Sequence, residues 1–374
     1  MDDRVLIVGG GIIGLSIGWT LARAGRRVEL FERDTVGSGA SRKAAGMLAP
    51  DAELEFEETT LHTLNQESRR RWPDFARTLE ADTGADVGLR TEGTLIAADD
   101  RDAAEALRRR YEFQRAHDLE VDWLGGAEAR EREPFLAPDL SAAVWSPRDH
   151  QVDNRAVVDA LHEGLRRHGG RVHEHTSVEA VDPAAARPAL RTAAGARVEG
   201  GTVVVATGAW TRGLDGLDGR LPVRPVKGQI MGLASDTTFD LRHVVRGPDA
   251  YVVPKGDGRV VVGATSEEMG FCDQVTAEGL YENLEGGWEV VPGILDLPVE
   301  CVCTGFRPAS RDHAPLLGPV APGVVAATGH FRHGILLTPV TAQEVARYVL
   351  DGEVSEWIEP FRPSRFEAAS APSN

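Results

Sequence analysis

The stretch RVLIVGGGIIGLSIGWTLARAGRRVELFE, residues 4–32, decides the fold. A short apolar run of branched residues at 4–8 predicts a buried strand, and a run of three glycines follows it at once. The apolar pattern of residues 12–22 predicts a helix that ends near Gly25, and a second strand over 27–31 leads to Glu32. A strand, glycine turn, helix, strand and acid within about 30 residues indicate a dinucleotide-binding βαβ unit.

Each glycine and the acid in such a unit has a physical role. Gly9 makes the tight turn, Gly11 lets the backbone approach a pyrophosphate, and Gly14 permits close packing of the helix. The first amides of that helix then face the phosphates. Glu32 follows Gly14 by 18 residues, where a carboxylate can accept both ribose hydroxyls. It would repel a 2′-phosphate unless Arg33 compensates, so NADP is disfavoured, whereas FAD and NAD both remain open.

Composition excludes several classes of protein. With 41 Lys and Arg against 58 Asp and Glu, the net charge of −17 disfavours binding to nucleic acids and to anionic membranes. No apolar run approaches the ~18 residues of a membrane span, and Met1-Asp2-Asp3-Arg4 is acidic where a signal peptide is basic. Three cysteines without a CxxC spacing support neither a disulfide framework nor zinc. We therefore expect a cytoplasmic protein without a metal.

The order of predicted elements indicates two interleaved domains. Strand-then-helix units fall at 4–33, 171–212 and 323–350, and hairpin-like strands lie between them. This pattern predicts an α/β protein in which a nucleotide-binding domain (1–80, 145–218 and 310–365) alternates with a sheet domain (81–144 and 219–309), followed by a tail at 366–374. A helix is expected from about Gly334 to Leu350, and the acidic stretch at 51–58 is expected to form a solvated surface.

Two further segments carry a family resemblance. They are SRKAAGMLAP at 41–50 and GHFRHGILLTP at 329–339, with weaker echoes in ATGAW at 206–210 and GFRP at 305–308. Together with residues 9–32, they resemble the D-amino acid oxidase-like flavoprotein family, and within it the glycine oxidases of thiamine biosynthesis. The resemblance implies an FAD-binding Rossmann-like domain of the GR2 type with an interleaved antiparallel-sheet α+β substrate domain. It also resolves the cofactor as FAD.

The resemblance assigns roles to individual residues. Arg307 would clamp the substrate carboxylate through two hydrogen bonds, Arg332 would add positive charge, and Tyr251 would donate its hydroxyl to the same carboxylate. Ser266 falls where glycine oxidases often place a methionine in the pocket wall. The cofactor would contact residues in the N-terminal part of the chain and residues further along it. The N-terminal residues are Gly9, Gly11, Ile12, Ile13, Gly14, Glu32, Arg33, Ser41, Ala45, Gly46 and Met47. The later residues are Val178, Thr207, Gly208, His330, Phe331, His333, Gly334, Ile335 and Leu336.

Three details complete this picture. The helix predicted near Gly334 would direct its amides at the flavin edge where negative charge develops on reduction. His330 and His333 lack a nearby acid or thiolate in the sequence, so they favour a flavin-binding role over a metal site. Some relatives attach flavin through a cysteine, but Cys303 aligns one position away from it. We therefore expect FAD to be bound non-covalently.

Several functions remain in competition. The leading prediction is oxidation of glycine and small secondary or D-amino acids by O2, giving the 2-oxo acid, ammonia and H2O2 and supplying the imine for thiazole synthesis. A dehydrogenase that passes electrons to another acceptor is the alternative. The flavin domain of a tRNA-modifying enzyme is disfavoured by the acidic charge, and a non-catalytic nucleotide-binding protein would leave the paired arginines unexplained. The expected partners are a small amino acid, O2 and further copies of the chain.

Overall fold

The computed structural model describes residues 4–54, 58–185, 187–217 and 219–366, so only Phe366 of the expected tail is described. The strands, in chain order, are β1 Arg4–Val8, β2 Arg27–Phe31, β3 Met47–Leu48, β4 Thr94–Ala98, β5 Asp122–Gly125, β6 Ala142–Ser146, β7 His150–Gln151, β8 Arg171–His173, β9 Val178–Asp182, β10 Ala189–Thr192, β11 Arg197–Glu199, β12 Thr202–Val205, β13 Arg224–Ala234, β14 Val244–Arg246, β15 Tyr251–Pro254, β16 Arg259–Gly263, β17 Val299–Ala309, β18 Leu316–Ala321 and β19 Val324–Thr328.

The helices of the described residues are α1 Ile12–Arg23, α2 Thr59–Thr83, α3 Arg101–Ala116, α4 Gly126–Arg132, α5 Asn154–Arg167, α6 Ala277–Val290 and α7 Thr338–Asp351. Short 3-10 turns occur at Gly208–Gly213, Pro292–Asp296, Glu359–Phe361 and Pro363–Phe366. None of these helices is both long and apolar enough to cross a bilayer.

A six-stranded sheet in the order β18-β19-β12-β1-β2-β8 carries the predicted βαβ unit. The strands β19, β12, β1, β2 and β8 are parallel, and β18 pairs with β19 in the antiparallel direction. Ten of the twelve residues of α1 are buried, because this helix packs against the sheet and also against α5 and α7. Such all-round burial explains why its apolar residues are not confined to one stripe.

A larger sheet forms the other half of the molecule. Its eight strands run in the order β17-β13-β16-β15-β14-β4-β6-β5, and all neighbours are antiparallel except β14 and β4. The mixed architecture agrees with the predicted α/β fold of a Rossmann-like sheet beside an antiparallel sheet. Two smaller sheets, β11-β10-β9 and β3-β7, complete the strands.

Two predicted elements differ in their bounds, and one predicted domain boundary divides a strand. The strand expected over 171–181 is two strands, because the chain turns at His175, whose φ is +53°. The last helix begins at Thr338 instead of near Gly334, since Pro339 occupies its first turn and residues 334–337 form a separate turn. Trp145 and Ser146, assigned by prediction to the nucleotide-binding domain, lie in the larger sheet. The division into two domains and the cytoplasmic location remain predictions.

Candidate functional site

One cavity connects the two large sheets and brings most of the predicted residues together. Its volume is about 430 Å³, and it extends from the glycine turn after β1 to the side chains of Tyr251 and Arg307 on the larger sheet. The residues that the sequence predicted for the cofactor or the substrate line this cavity, except Gly14, Leu336 and the pocket-wall residue Ser266. The carbonyl of Leu336 instead accepts hydrogen bonds from Ser68 and Trp72 of α2.

The glycine turn has no room for side chains. Gly9 has a φ of +107°, and a Cβ atom there would collide with the backbone of Ala206 at the end of β12. A Cβ atom at Gly14 would collide with the carbonyl oxygen of Gly9, which explains why Gly14 does not face the cavity. At Gly11, a Cβ atom would lie 3.2 Å from the Ser41 hydroxyl. The turn therefore keeps its backbone open to a phosphate-bearing ligand.

Glu32 lies at the end of β2, beside this turn. Its carboxylate accepts hydrogen bonds from the amide of Gly10, at 2.7 Å, and from the amide of Asp34, at 2.9 Å. The guanidinium of Arg33 lies 3.9 Å from the centre of the Trp210 ring and pairs with Asp34 at 2.9 Å. The acid is thus fixed where the sequence predicted a partner for ribose hydroxyls, and Arg33 is engaged by its neighbours.

The segment over residues 41–50 forms the middle of the cavity wall. The Ser41 hydroxyl accepts a hydrogen bond from the Ile12 amide at 2.9 Å, and the Asn154 side chain donates to the Ser41 carbonyl at 2.7 Å. Gly46 has a φ of +77°, and a Cβ atom there would lie 2.9 Å from Nζ of Lys255. Two distant side chains therefore hold this loop in place.

Lys255 is a buried cation that the sequence analysis did not select. It is 5% exposed, and its Nζ donates to the carbonyls of Ala45 and Val152 at 2.5 and 2.9 Å and to the Gln151 side chain at 3.1 Å. Burial lowers the pKa of Lys255 to about 7. Three acceptors match the three N–H bonds of the charged form, so this lysine ties the loop carrying Ala45 to the larger sheet.

Arg307 and Tyr251 meet at the other end of the cavity, on the surface of the larger sheet. In the strand register, Tyr251 faces Gly263, which faces Ile230 of β13, and Arg307 of β17 faces Val226 of β13. A Cβ atom at Gly263 would lie 3.0 Å from the Tyr251 hydroxyl, and one at Gly228 would lie 2.6 Å from Nη1 of Arg307. The two glycines therefore let both side chains lie across the sheet.

A series of polar contacts fixes the guanidinium of Arg307. Its Nη1 donates to the carbonyl of Thr265 at 2.9 Å, and the Thr265 hydroxyl donates to Glu267 at 2.6 Å. Glu267 pairs with the buried Lys227 at 3.0 Å. Burial lowers the pKa of Arg307, and a hydrogen bond with Tyr251 acts in the opposite direction. Burial likewise raises the pKa of Tyr251, so a neutral phenol adjoins the cation.

The segment after β19 supplies the remaining predicted side chains. His330 is buried, its Nε2 lies 3.0 Å from the Thr341 hydroxyl, and burial lowers its pKa to about 3, so the ring is neutral. Burial also lowers the pKa of His333. Arg332 lines the cavity but is exposed to solvent, above the ring of Phe331. Of the two predicted arginines, Arg307 is therefore the more deeply enclosed.

Two expectations about single residues are wrong. The acidic stretch at 51–58 was expected on a solvated surface, and residues 55–57 lie outside the described residues. Asp51, however, is 1% exposed and the Glu53 side chain 11%, and Glu53 lines the cavity. A sequence signal for this is that Glu53 follows the segment at 41–50 by only three residues. Ser266, expected in the pocket wall, is exposed and does not line the cavity.

The residues present fit an elongated dinucleotide cofactor. A backbone turn without Cβ atoms, a carboxylate at the end of β2 and a loop fixed by Lys255 follow one another along the same cavity. Cys303 packs beside Ala45 and Ile230, does not line the cavity, and has its pKa raised by burial. Within the described part of the chain, no group of three or more His, Cys, Asp or Glu side chains is placed to hold a metal ion.

Comparison with known proteins gives consistent matches. The protein-family model described as FAD dependent oxidoreductase, DAO, matches residues 4–348. A glycine oxidase from Geobacillus kaustophilus is 36% identical over 365 residues, covering 96% of both chains. The crystal structure of the glycine oxidase from that organism matches with a TM-score of 0.90 and covers 97% of this chain and 99% of its own.

Two other relatives carry different names. A bifunctional protein ThiO/ThiG from Synechocystis is 33% identical over 98% of this chain, which spans 55% of that longer protein. The iminodiacetate oxidase IdaA of Chelativorans has a crystal structure that matches with a TM-score of 0.86 at 29% identity, covering 96% of this chain and 99% of its own.

Proposed function

Because the chain belongs to the FAD dependent oxidoreductase family, DAO, and is an FAD-dependent amine-oxidising enzyme, we propose that it oxidises glycine and small secondary or D-amino acids. The amino acid loses two electrons and two protons to become an imine, and water converts the imine to a 2-oxo acid and ammonia or an amine. O2 takes up the two electrons and two protons as H2O2. The substrates and the acceptor O2 are parts of this proposal.

A single observation carries the proposal. At the end of the cavity opposite the glycine turn, the guanidinium of Arg307 and the hydroxyl of Tyr251 lie on one sheet surface, made accessible by Gly228 and Gly263. A planar guanidinium can bind both oxygens of a carboxylate, and a phenol can donate to one of them. Such a site holds the carboxylate of an amino acid at a defined place relative to the cofactor loop.

The residues of this chain would bind and orient the substrate. The glycine turn and the 41–50 segment would hold FAD without a covalent bond, and the bound cofactor would supply the hydride acceptor for the substrate Cα. With the carboxylate fixed by Arg307 and Tyr251, the Cα–H bond has a set direction, and such positioning accounts for much of the acceleration. Because the His330 ring is neutral, the positive charge near the substrate carboxylate would come from Arg307 and Arg332.

The relatives also suggest what the product is for. The ThiO/ThiG proteins join a segment similar to this chain to a second segment, and this chain spans about half of their length. An imine hydrolyses readily in water, so a fused neighbour would receive it before hydrolysis. We therefore include in the proposal that this enzyme supplies the imine for the thiazole of thiamine.

The test is an anaerobic reduction followed by exposure to air. The purified holoprotein is mixed without O2 with glycine, sarcosine or a D-amino acid panel, and with ethylamine, which lacks the carboxylate that Arg307 would bind. Loss of flavin absorbance with the amino acids but not with ethylamine, and stoichiometric peroxide on aeration, support the proposal. Absorbance loss without peroxide favours the dehydrogenase alternative. A flavin that no amino acid reduces would overturn the proposed function.

A further inference from the structure

Glu53 introduces a negative charge at the substrate end of the cavity. Among the described residues that line the cavity, the acids are Glu32, Asp34, Glu53 and Glu179, and the other three lie near the glycine turn or on β9. Glu53 instead contacts Arg246, which faces Tyr251 in the register of β14 and β15, and it lines the same cavity as Tyr251 and Arg307. The proposed mechanism does not use this carboxylate.

The Glu53 carboxylate has a fixed position. Nη1 of Arg246 donates to Oε1 at 2.5 Å, and Nδ1 of His333 lies 3.5 Å from Oε2. Arg246 faces Tyr251 directly in the register of β14 and β15. The same pair of strands therefore positions both the Glu53 carboxylate, through Arg246, and the Tyr251 phenol. Nδ1 of His333 is buried and has no hydrogen-bond partner among the described residues.

The loop that carries Glu53 is also fixed on its other side. The buried Asp149 accepts hydrogen bonds from the amides of Asp51 and Ala52 at 3.2 and 2.6 Å. Asp51 in turn pairs with Arg69 at 2.5 Å and with His62 at 2.9 Å. A buried network of this kind leaves Glu53 little freedom to turn away from the cavity.

The charge of Glu53 is retained in the cavity. Burial alone would raise its pKa, but the positive charges of Arg246 and Arg332 and the hydrogen bond from Arg246 keep the pKa below its ordinary value. One carboxylate of a substrate can be neutralised by Arg307. A second carboxylate on the same small molecule would meet the charge of Glu53, because Arg246, its counterion, does not line the cavity.

We propose that Glu53, held by Arg246, determines specificity by restricting this enzyme to amino acids with a single carboxylate. The inference rests on the proposed function and names its substrate class. Like charges in an enclosed site repel strongly, whereas a neutral group of the same shape does not. Glycine, sarcosine and neutral D-amino acids would be accepted, and N-carboxymethyl or acidic D-amino acids would be rejected.

The first test compares iminodiacetate with its monoamide, in which one carboxylate is replaced by a neutral amide of similar shape. The wild-type holoenzyme should show a kcat/KM at least about 100-fold higher for the monoamide. In Glu53→Gln the ratio should fall at least tenfold, since the charge that repels the second carboxylate is then removed. The matched control is Glu344→Gln, an acid that is 6% exposed and pairs with Arg71 at 2.7 Å outside the cavity. Its ratio should equal that of the wild type.

The second test does not depend on turnover. Dissociation constants of acetate and malonate are measured from the change in flavin absorbance of the holoprotein. The ratio of the malonate constant to the acetate constant should be high in the wild type and fall at least tenfold in Glu53→Gln. A wild type that oxidises no amino acid but shows this shift would refute the proposed function and leave the charge selection standing.

A double variant covers the case in which Glu53→Gln does not fold around an unpaired Arg246. Glu53→Gln with Arg246→Met removes both charges, so it leaves no buried ion without a partner. The double variant should also lose the discrimination between acetate and malonate. If a folded, flavin-containing single or double variant kept the wild-type ratios for both pairs of compounds, Glu53 would not determine the substrate class.

Discussion

The guanidinium of Arg307 lies over the backbone of Gly228, so close that a Cβ atom at residue 228 would be 2.6 Å from Nη1. The two residues are on neighbouring strands, β17 and β13, whose register pairs Gly228 with Gly305 and Val226 with Arg307. A glycine two positions from the cross-strand partner thus gives the arginine a flat surface. The atoms that a methyl group would displace belong to the flexible end of a side chain, and the backbone can stay in place.

Gly228→Ala should therefore impair substrate binding and leave the fold intact. The added methyl group moves the guanidinium away from the Thr265 carbonyl and from the carboxylate site, which removes about 1.5–3 kcal/mol of charged hydrogen bonding. We expect KM for glycine to rise about tenfold or more with a smaller change in kcat. Gly256→Ala is the matched control, because a Cβ atom there has no neighbour within 4 Å. Unchanged steady-state kinetics in Gly228→Ala would contradict this reasoning.

Arg307→Ala tests the carboxylate clamp directly. Truncating one partner of a buried charged pair typically costs about 2–5 kcal/mol, so the apparent affinity for glycine should fall by that amount. Binding of acetate, followed through the flavin absorbance, should weaken in parallel. Arg109→Ala serves as the control, since Arg109 is exposed and pairs only with Glu105 on the same helix among the contacts described. An apparent affinity equal to that of the wild type would remove the assignment.

Glu32→Ala tests the nucleotide end of the cavity. The Glu32 carboxylate accepts hydrogen bonds from the amides of Gly10 and Asp34. Its removal would also remove its hydrogen bonds with the ribose hydroxyls, and each hydrogen bond to a charged group contributes about 1.5–3 kcal/mol. Fluorescence titration of the apoprotein should show FAD binding weakened at least about tenfold. Glu29→Gln, on the same strand but paired with Arg4 and His173, should bind FAD as the wild type does.

Lys255 should impose a pH dependence on stability. Its pKa in the folded protein, about 7, lies below its ordinary value of 10.5, so between these values the unfolded chain binds more protons than the folded one. Stability must then increase with pH across this window. From pH 7 to pH 9 the gain is about 3 kcal/mol at most. Urea unfolding of the wild type and Lys255→Met at several pH values should give curves that diverge as pH rises, and parallel curves would refute the assignment.

Local sequence patterns were sufficient for the nucleotide end of the site. Residues 4–32 form the expected strand, turn, helix and strand, and Glu32 reaches the amide of Gly10. These features depend on contacts between neighbouring segments, so a short stretch of sequence contains all their determinants. The family resemblance added Arg307, Arg332 and Tyr251, which line the same cavity, although their roles remain predictions.

Other features could not be read from local patterns. Glu53 has the composition of a solvated acidic stretch, and it is buried because Arg246, 193 residues later, meets it at 2.5 Å. Lys255 lies in an ordinary hairpin turn, and its acceptors belong to the segments at residues 45 and 151–152. The helix expected at Gly334 begins only at Thr338, since the chain first forms a turn that lines the cavity.

The amino-acid sequence by itself determined the βαβ unit, the glycine turn with its acid and the α/β class, because backbone sterics and apolar periodicity act over a few residues. Only the tertiary structure decided which charges share the substrate end of the cavity. Burial and ion pairing depend on strands that are far apart in the chain. The register of β13, β15, β16 and β17 places Tyr251 and Arg307 on one surface, and Glu53 lines the same cavity.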